Sequence, residues 1–387
     1  MSPPRIYCDY NATAPLRPEA RIAMAGAFED GGNPSSVHAE GRRARARLEA
    51  ARETVAASIG ACREDLVFVS GGTEAVSGPL SSALEACGGS LIASGLEHEA
   101  VSSLGGAPFA WPATPEGRAD LSWLEEALAR EVSAGRRPVV SLMLVNNETG
   151  VIQPVAEAAR LVRAVGGLIH CDAVQALGRI AVSVVDLDVD YLSLSAHKVG
   201  GPQGMGAFFI RPGAPFRPRQ TGGGQELGRR AGTEAVALAA GFAAAAEASL
   251  RDMGAYAALA EGRNRMEARL QAAAPGLCIH GRAAERVAGV SCFGVEGLPA
   301  DTQIMALDLA GFALSAGAAC SSGKVRASRV LTAMGLSDTA ARCAVRASFG
   351  WGSRTGDMDA LAEAWIGFVR RARPQFLSRD ALADAEC

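Results

Sequence analysis

Residues 190–206 read D-Y-L-S-L-S-A-H-K-V-G-G-P-Q-G-M-G, and the reading of this stretch decides the fold. Tyr191 to Ser195 alternates apolar and polar residues as a short strand does, and S-A-H-K then breaks it in a glycine-rich turn. Lys198 therefore stands at a strand end, the place where open α/β sheets bind ligands. The residue type is informative because Lys and Arg together number 38 and only two, Lys198 and Lys324, are lysines. Positive charge is met by arginine almost everywhere else. Arginine stays protonated in proteins, whereas a desolvated lysine amine can act as base, nucleophile or imine former.

Working outward, the chain on both sides alternates strand and helix patterns. Leu66 to Ser70, Ser90 to Ser94, Val139 to Val145, Leu168 to Cys171 and Gly206 to Ile210 read as strands. Thr73 to Cys87, Glu97 to Leu104, Leu121 to Val132 and Pro154 to Val165 read as helices. Runs such as L-V-F-V-S and V-V-S-L-M-L-V are almost wholly apolar, as in strands covered on both faces. The expectation is an α/β fold with a mostly parallel sheet. Upstream, N-P-S-S-V-H (Asn33 to His38) is a turn that caps a long helix from Glu40 to Ile59. Downstream, a polar glycine-rich connection (Gln220 to Gly232) leads to a helix from about Thr233 to Met253. A second, smaller α+β unit follows, with helices around Arg263 to Ala274 and Ala300 to Ala310 and strands near Val287 to Gly294 and Cys343 to Ser348. The tail after Pro374 is charged and is expected to be loosely held.

Composition sets outer limits. With 387 residues, 49% of them hydrophobic and 20% charged, the chain has the makings of two well-buried cores. A net charge of -3 gives no basic footprint for nucleic acid or an anionic membrane. The N-terminus lacks the pattern of a signal peptide, and the apolar run Ala235 to Ala246 is too short and alanine-rich to span a bilayer. Nine cysteines, without a C-x-x-C pair, point to a reducing, cytoplasmic setting with free thiols and no metal centre.

The chemistry lies in strand-end motifs. S-G-G-T-E (Ser70 to Glu74) follows a strand and opens a helix, so Gly72, Thr73 and the first helical N–H groups can face an anion; as a motif alone it reads more readily as a plain turn. Asp172 closes the strand L-I-H-C. A strand-end aspartate beside a strand-end lysine is the pairing pyridoxal phosphate needs: the lysine forms an imine, and the aspartate keeps the pyridine nitrogen protonated so that the ring can accept electrons. Ser195 and His197 flank the lysine and could add hydrogen bonds to the phosphate.

Taken together these segments resemble the cysteine desulfurases of the NifS/IscS type, in the class V aminotransferase group of fold-type I pyridoxal-phosphate enzymes. The resemblance runs in order through D-Y-N-A-T-A-P (Asp9 to Pro15), N-P-S-S-V-H, S-G-G-T-E, L-E-H-E-A-V (Leu96 to Val101), N-N-E-T-G-V-I-Q-P (Asn146 to Pro154), H-C-D-A-V-Q (His170 to Gln175), S-A-H-K, A-G-A-A-C-S-S-G (Ala316 to Gly323) and V-R-A-S-F-G (Val345 to Gly350). It implies a large pyridoxal-phosphate-binding domain over 16–255 and a small α+β domain from 1–15 and 256–387. It also implies that Lys198 carries the cofactor, that His98 stacks on the ring and helps move protons, and that Asp172 pairs with the pyridine nitrogen. Asn147 and Gln175 reach the phenolic oxygen, while Gly72, Thr73, Ser195 and His197 hold the phosphate. Thr233 matches a threonine that reaches the phosphate from the neighbouring subunit, implying a homodimer with shared sites. Arg346, with Asn147, would bind the carboxylate end of the L-cysteine substrate.

Cys320 lies among small residues, which places its thiol on a pliable loop, whereas Cys171, Cys292 and Cys343 read as buried structural thiols. By the resemblance Cys320 is the nucleophile that takes the substrate's sulfur as a persulfide, for an iron-sulfur scaffold or another acceptor protein. Lys324, four residues on, reads equally as a charge that lowers the thiol's pKa and as an exposed loop lysine. A selenocysteine lyase or an aminotransferase is the nearest alternative, and Cys320 separates them, because transamination needs no loop thiol. The chain departs from the family pattern at Ser77 and Tyr10, where asparagine is common, and neither carries a role above.

Overall fold

The structure, a computed structural model, describes residues 5–88, 90–104, 109–317 and 327–383. Its centre is a sheet of strands β1 (Leu66–Val69), β2 (Leu91–Ser94), β3 (Phe109–Trp111), β4 (Val139–Met143), β5 (Leu168–Asp172), β6 (Tyr191–Ser195) and β7 (Gly206–Ile210), in the order β1-β7-β6-β5-β4-β2-β3. The five strands from β6 to β3 run parallel. β7 pairs antiparallel with both β6 and β1. The cause is local: the link from β6 to β7 is a turn with no crossover helix, and a strand that returns directly must return antiparallel. The residues of β1, β2, β4, β5, β6 and β7 are all buried, which explains their nearly continuous apolar sequence.

Helix Gly72–Cys87 covers one face beside β6 and β7, and the alanine-rich helix Val236–Arg251 packs on helices Pro18–Asp30 and Ala39–Ala57. Small side chains let these helices come close: a Cβ on Gly241 would lie 2.6 Å from Met24 Cγ. His38 caps the Ala39–Ala57 helix, its Nδ1 accepting from the Gly41 N–H at 3.3 Å.

A second, antiparallel sheet is built from β8 (Leu277–His280), β9 (Val290–Val295), β10 (Ser315–Ala316) and β11 (Ala344–Ser348), in the order β10-β11-β9-β8. Helices Met253–Ala273, Ala300–Leu309 and Thr355–Ala372 accompany it, with Trp365 set edge-on to Phe293. The N-terminal segment joins the two sheets. Ile6–Tyr7 pairs with Phe312–Ala313 and Asp9 bridges Ser348, after which the chain crosses to the end of β6, where the Ala14 N–H donates to the His197 carbonyl. Among the described residues no helix is long and apolar enough to cross a membrane.

Two expectations need correction, and one strand was not expected. The helix expected over 97–104 is only Glu99–Ser102, because His98 turns out of the helix to cap it. The strand Phe109–Trp111 carried too few residues to be read from sequence. The tail is anchored through residue 383: the Ser378 N–H donates to the Ala273 carbonyl, the Arg370 guanidinium to the Ala381 carbonyl, and Leu377 is buried.

Candidate active site

Lys198 ends a single 3-10 turn, Ala196–Lys198, that follows β6 directly. Its Nζ donates to the main-chain carbonyls of Asn11 (2.6 Å) and Ala12 (2.8 Å). Burial, reinforced by the positive charges of Arg346 and Arg179 and opposed by Asp172 and Asp9, brings the amine from 10.5 down to about 8. A substantial neutral fraction is thus present at mildly alkaline pH.

Asp172 is the last residue of β5, next to β6 in the sheet. Its Oδ1 accepts from the Val174 N–H at 2.9 Å, and little of the residue is exposed. Burial raises its pKa, while the Val174 N–H and the charges of His98 and Lys198 pull the other way. An anion at a strand end, facing inward, is where a protonated ring nitrogen would be received.

At the other end of the cleft, Gly72 and Thr73 open the 16-residue helix Gly72–Cys87. The turn packs tightly on β7, where a Cβ on Gly206 would sit 2.6 Å from the Gly71 carbonyl carbon, and a Cβ on Gly72 would come to 3.3 Å from Ser195 Cβ. Glu74 fixes this turn: its carboxylate accepts from the Ser70 N–H (2.7 Å), the Ser70 hydroxyl (2.6 Å) and Arg230 Nε (3.1 Å). Ser195 Oγ is buried and has no partner. His197 pairs its Nδ1 with Thr13 Oγ1 at 3.2 Å, and burial, then the charge of Lys198, depresses its pKa to about 4, so the ring is neutral near pH 7.

The N-N-E-T-G turn supplies the next wall. Asn146, fully buried, shapes it by accepting on Oδ1 from the Glu148 and Thr149 N–H groups (2.9 Å each) and from the Thr149 hydroxyl (3.1 Å). Asn147 is thereby turned into the cleft. Arg346 in β11 donates to the Asn147 carbonyl (3.0 Å), Asp9 Oδ1 (2.8 Å) and Ser315 Oγ (2.7 Å), and its Nε is buried without a partner. His98 is oriented by its capping role, Nδ1 accepting from the Ala100 N–H at 3.1 Å.

Gly72, Thr73, His98, Asn147, Asp172, Gln175, Ser195, His197, Lys198 and Arg346 thus line one cavity of about 520 Å³. Thr233 is exposed and does not line it, and Cys320 and Lys324 lie outside the described residues. Cys171 and Cys292 are buried, with thiols pushed up chiefly by desolvation, and Cys343 is buried too. Pyridoxal phosphate fits this wall on its own terms. A helix N-terminus with an orphaned Ser195 hydroxyl suits a phosphate, and a buried carboxylate and an amine on neighbouring strands suit the ring.

Sequence reasoning assigned no role to three residues that shape the site. Asn11 is almost fully buried: its carbonyl accepts from Lys198 and from Gln175 Nε2 (2.9 Å), its Nδ2 donates to the Asn147 carbonyl (2.8 Å), and its Oδ1 accepts from Arg179 Nη1 (2.6 Å). Glu97 is a buried carboxyl whose Oε1 accepts from the Met143 N–H. Glu148 accepts from the Ser328 hydroxyl, and a Cβ on Gly317 would fall 2.2 Å from its Oε2. No single-residue signal in the sequence marks these roles, because each depends on what the fold brings next to it.

Residues 6–361 match the family model described as aminotransferase class-V. A protein of Cereibacter sphaeroides named cysteine desulfurase is 39% identical over 382 residues, covering 95% of this chain and 97% of that protein. One of Dictyoglomus turgidum named cysteine desulfurase IscS is 35% identical over 381 residues, covering 95% of each. Among solved structures, a NifS-like protein from Rickettsia africae superposes with a TM-score of 0.86 at 27% identity, over 94% of this chain and 99% of that one.

Proposed function

The chain belongs to the aminotransferase class-V family and is a cysteine desulfurase within it, and on that premise we propose that it uses pyridoxal 5'-phosphate to convert L-cysteine to L-alanine and leaves the sulfur as a persulfide on Cys320. The observation that carries the reading is the meeting of Lys198, Asp172 and Arg346, from two different sheets, on one cavity. The cofactor, when bound, supplies the electron sink that acidifies the substrate's Cα–H.

The chain's own residues do the rest. Gly72, Thr73, Ser195 and His197 would hold the phosphate, joined by Thr233 of a second copy in a homodimer. Asp172 would hold the ring nitrogen, and Asn147 and Gln175 its phenolic oxygen. Asp9 and Ser315 hold Arg346 Nη2 and the Asn147 carbonyl holds Nη1, so the guanidinium that would bind the substrate carboxylate is already oriented. Lys198, part of whose population is neutral near pH 8, takes the Cα proton. His98, fixed by its cap, would cover the ring and assist that proton's movement.

Sulfur transfer balances within the protein and its substrate. The Cys320 thiolate attacks the substrate sulfur, a sulfur–sulfur bond forms and the carbon–sulfur bond breaks. Its electron pair stays on carbon and is protonated to the alanine methyl, so cysteine plus a thiol gives alanine plus a persulfide. The IscS name of one relative supports an iron-sulfur scaffold as the acceptor, inside the cell.

The test is L-cysteine turnover with alanine and sulfide both quantified. Lys198→Ala is expected to lose both the visible cofactor absorption and turnover, and Cys320→Ala to keep the absorption and lose turnover. Equal sulfide release by the parent and Cys320→Ala would refute the persulfide route.

A further inference from the structure

Glu97 has no part in the chemistry above, yet it is among the most deeply placed carboxyls in the cavity wall. It immediately precedes His98, and its side chain turns inward to the C-terminal edge of the sheet, where Oε1 accepts from the Met143 N–H. Met143 ends β4 and is the register partner of Asp172, which ends β5. Adjacent strands are about 4.8 Å apart, so two carboxyl groups are brought to one strand-end level in a site shielded from water. Among the described residues no lysine, arginine or histidine donates to Glu97, and its Oε2 is buried without any partner.

Neighbouring carboxyls buried in this way do not both ionise. Asp172 is the one equipped for charge, with the Val174 N–H on Oδ1 and the positive fields of His98 and Lys198. Glu97 has a single backbone donor, and it lies on one oxygen. A neutral acid accounts for both of its oxygens: the carbonyl oxygen receives the Met143 N–H, and the hydroxyl on Oε2 is a donor in want of an acceptor.

We propose that Glu97 is a neutral carboxylic acid and a positioning residue, its Oε2 hydroxyl donating toward the Asp172 carboxylate so that the pair carries one negative charge, aimed at the ring nitrogen. This rests on the cofactor reading above for its purpose, though not for its protonation. Desolvation, followed by the charge of Asp172, raises the Glu97 pKa far above the usual carboxylate range, in keeping with the geometry.

Two measurements decide it. Infrared difference spectra of parent against Glu97→Gln at neutral pH, on protein with and without pyridoxal phosphate, are expected to show one protonated-carboxyl carbonyl band lost in the variant; absence of that band overturns the proposal. The second is the pH titration of the bound cofactor's visible absorption. Glu97→Gln removes no charge and keeps a donor, so its midpoint is expected to match the parent's, while Glu97→Leu, which removes the donor, shifts it. If Glu97 were an anion, the glutamine variant would lower the midpoint by about one unit or more, and that result also overturns the proposal. Failure of the parent to take up pyridoxal phosphate would sink the functional reading instead, leaving the infrared measurement to decide Glu97 alone.

Discussion

Replacing Arg179 by glutamine should raise the pKa of the Lys198 amine by about one unit. The two cations meet on one residue: Arg179 Nη1 donates to Asn11 Oδ1 at 2.6 Å, and Lys198 Nζ donates to the Asn11 carbonyl at 2.6 Å. Taking a separation of ~7 Å for two cations held by one asparagine and an effective dielectric of ~20, they repel by about 2.4 kcal/mol, or about 1.7 pKa units. Arg179 is only partly buried, and solvent screening brings the expectation to about one unit. Glutamine removes the charge while leaving a polar side chain at this position. From about 8 in the parent the amine would move to about 9, and at pH 8 its neutral share would fall from about half to roughly a tenth. The composition makes this measurable, because the chain has two lysines. Cofactor-free protein grown on lysine labelled with carbon-13 at Cε gives two side-chain signals whose shifts follow the amines, and Lys324→Arg leaves that of Lys198 alone. A folded Arg179→Gln protein whose Lys198 titrates where the parent's does would refute the argument that Arg179 tunes this amine.

Other outcomes follow from the same structure. Glu226→Ala strands Arg52, which bonds both Glu226 oxygens inside the protein, and deprives the Phe68 N–H of its acceptor; about 3–5 kcal/mol of stability should be lost, read from urea unfolding. Gly317→Ala drives a methyl to 2.2 Å from the Glu148 carboxylate and should dislodge its bond to Ser328, costing about 1–3 kcal/mol and lowering alanine formation while the visible cofactor absorption holds. His170, buried between Ser141 Oγ (3.0 Å) and Ser193 Oγ (2.7 Å), has its pKa lowered to about 3 by desolvation. Its folded value lies below its unfolded one, so stability is lost as pH falls beneath about 6.5, by about 1.4 kcal/mol per unit. Urea midpoints between pH 7 and 4.5 should show this slope, and His170→Gln should reduce it.

Much of the fold was legible because its strands are covered on both faces and their sequences say so. The Lys198 and Asp172 positions were legible because each closes such a strand. Helix limits were less so: the chain breaks its helix at Asp252 and begins the next at Met253, where sequence periodicity placed a start only near Arg263. The strand Phe109–Trp111 exists by pairing with Leu91–Ser94, a tertiary cause that three residues cannot announce. Glu97 shows the same limit within the site, since an acidic residue beside His98 reads as a solvated helix start until the sheet places Met143 and Asp172 against it.

The perch of the Lys198 amine consists of main-chain oxygens from residues 11 and 12. Swapping one side chain for another cannot delete those acceptors, so the amine's docking place is shielded from the commonest kind of genetic change. What can unsettle it is a change in the route of the backbone itself. An insertion or deletion between Asp9 and Pro15 would therefore disarm the lysine without touching any residue that performs the chemistry.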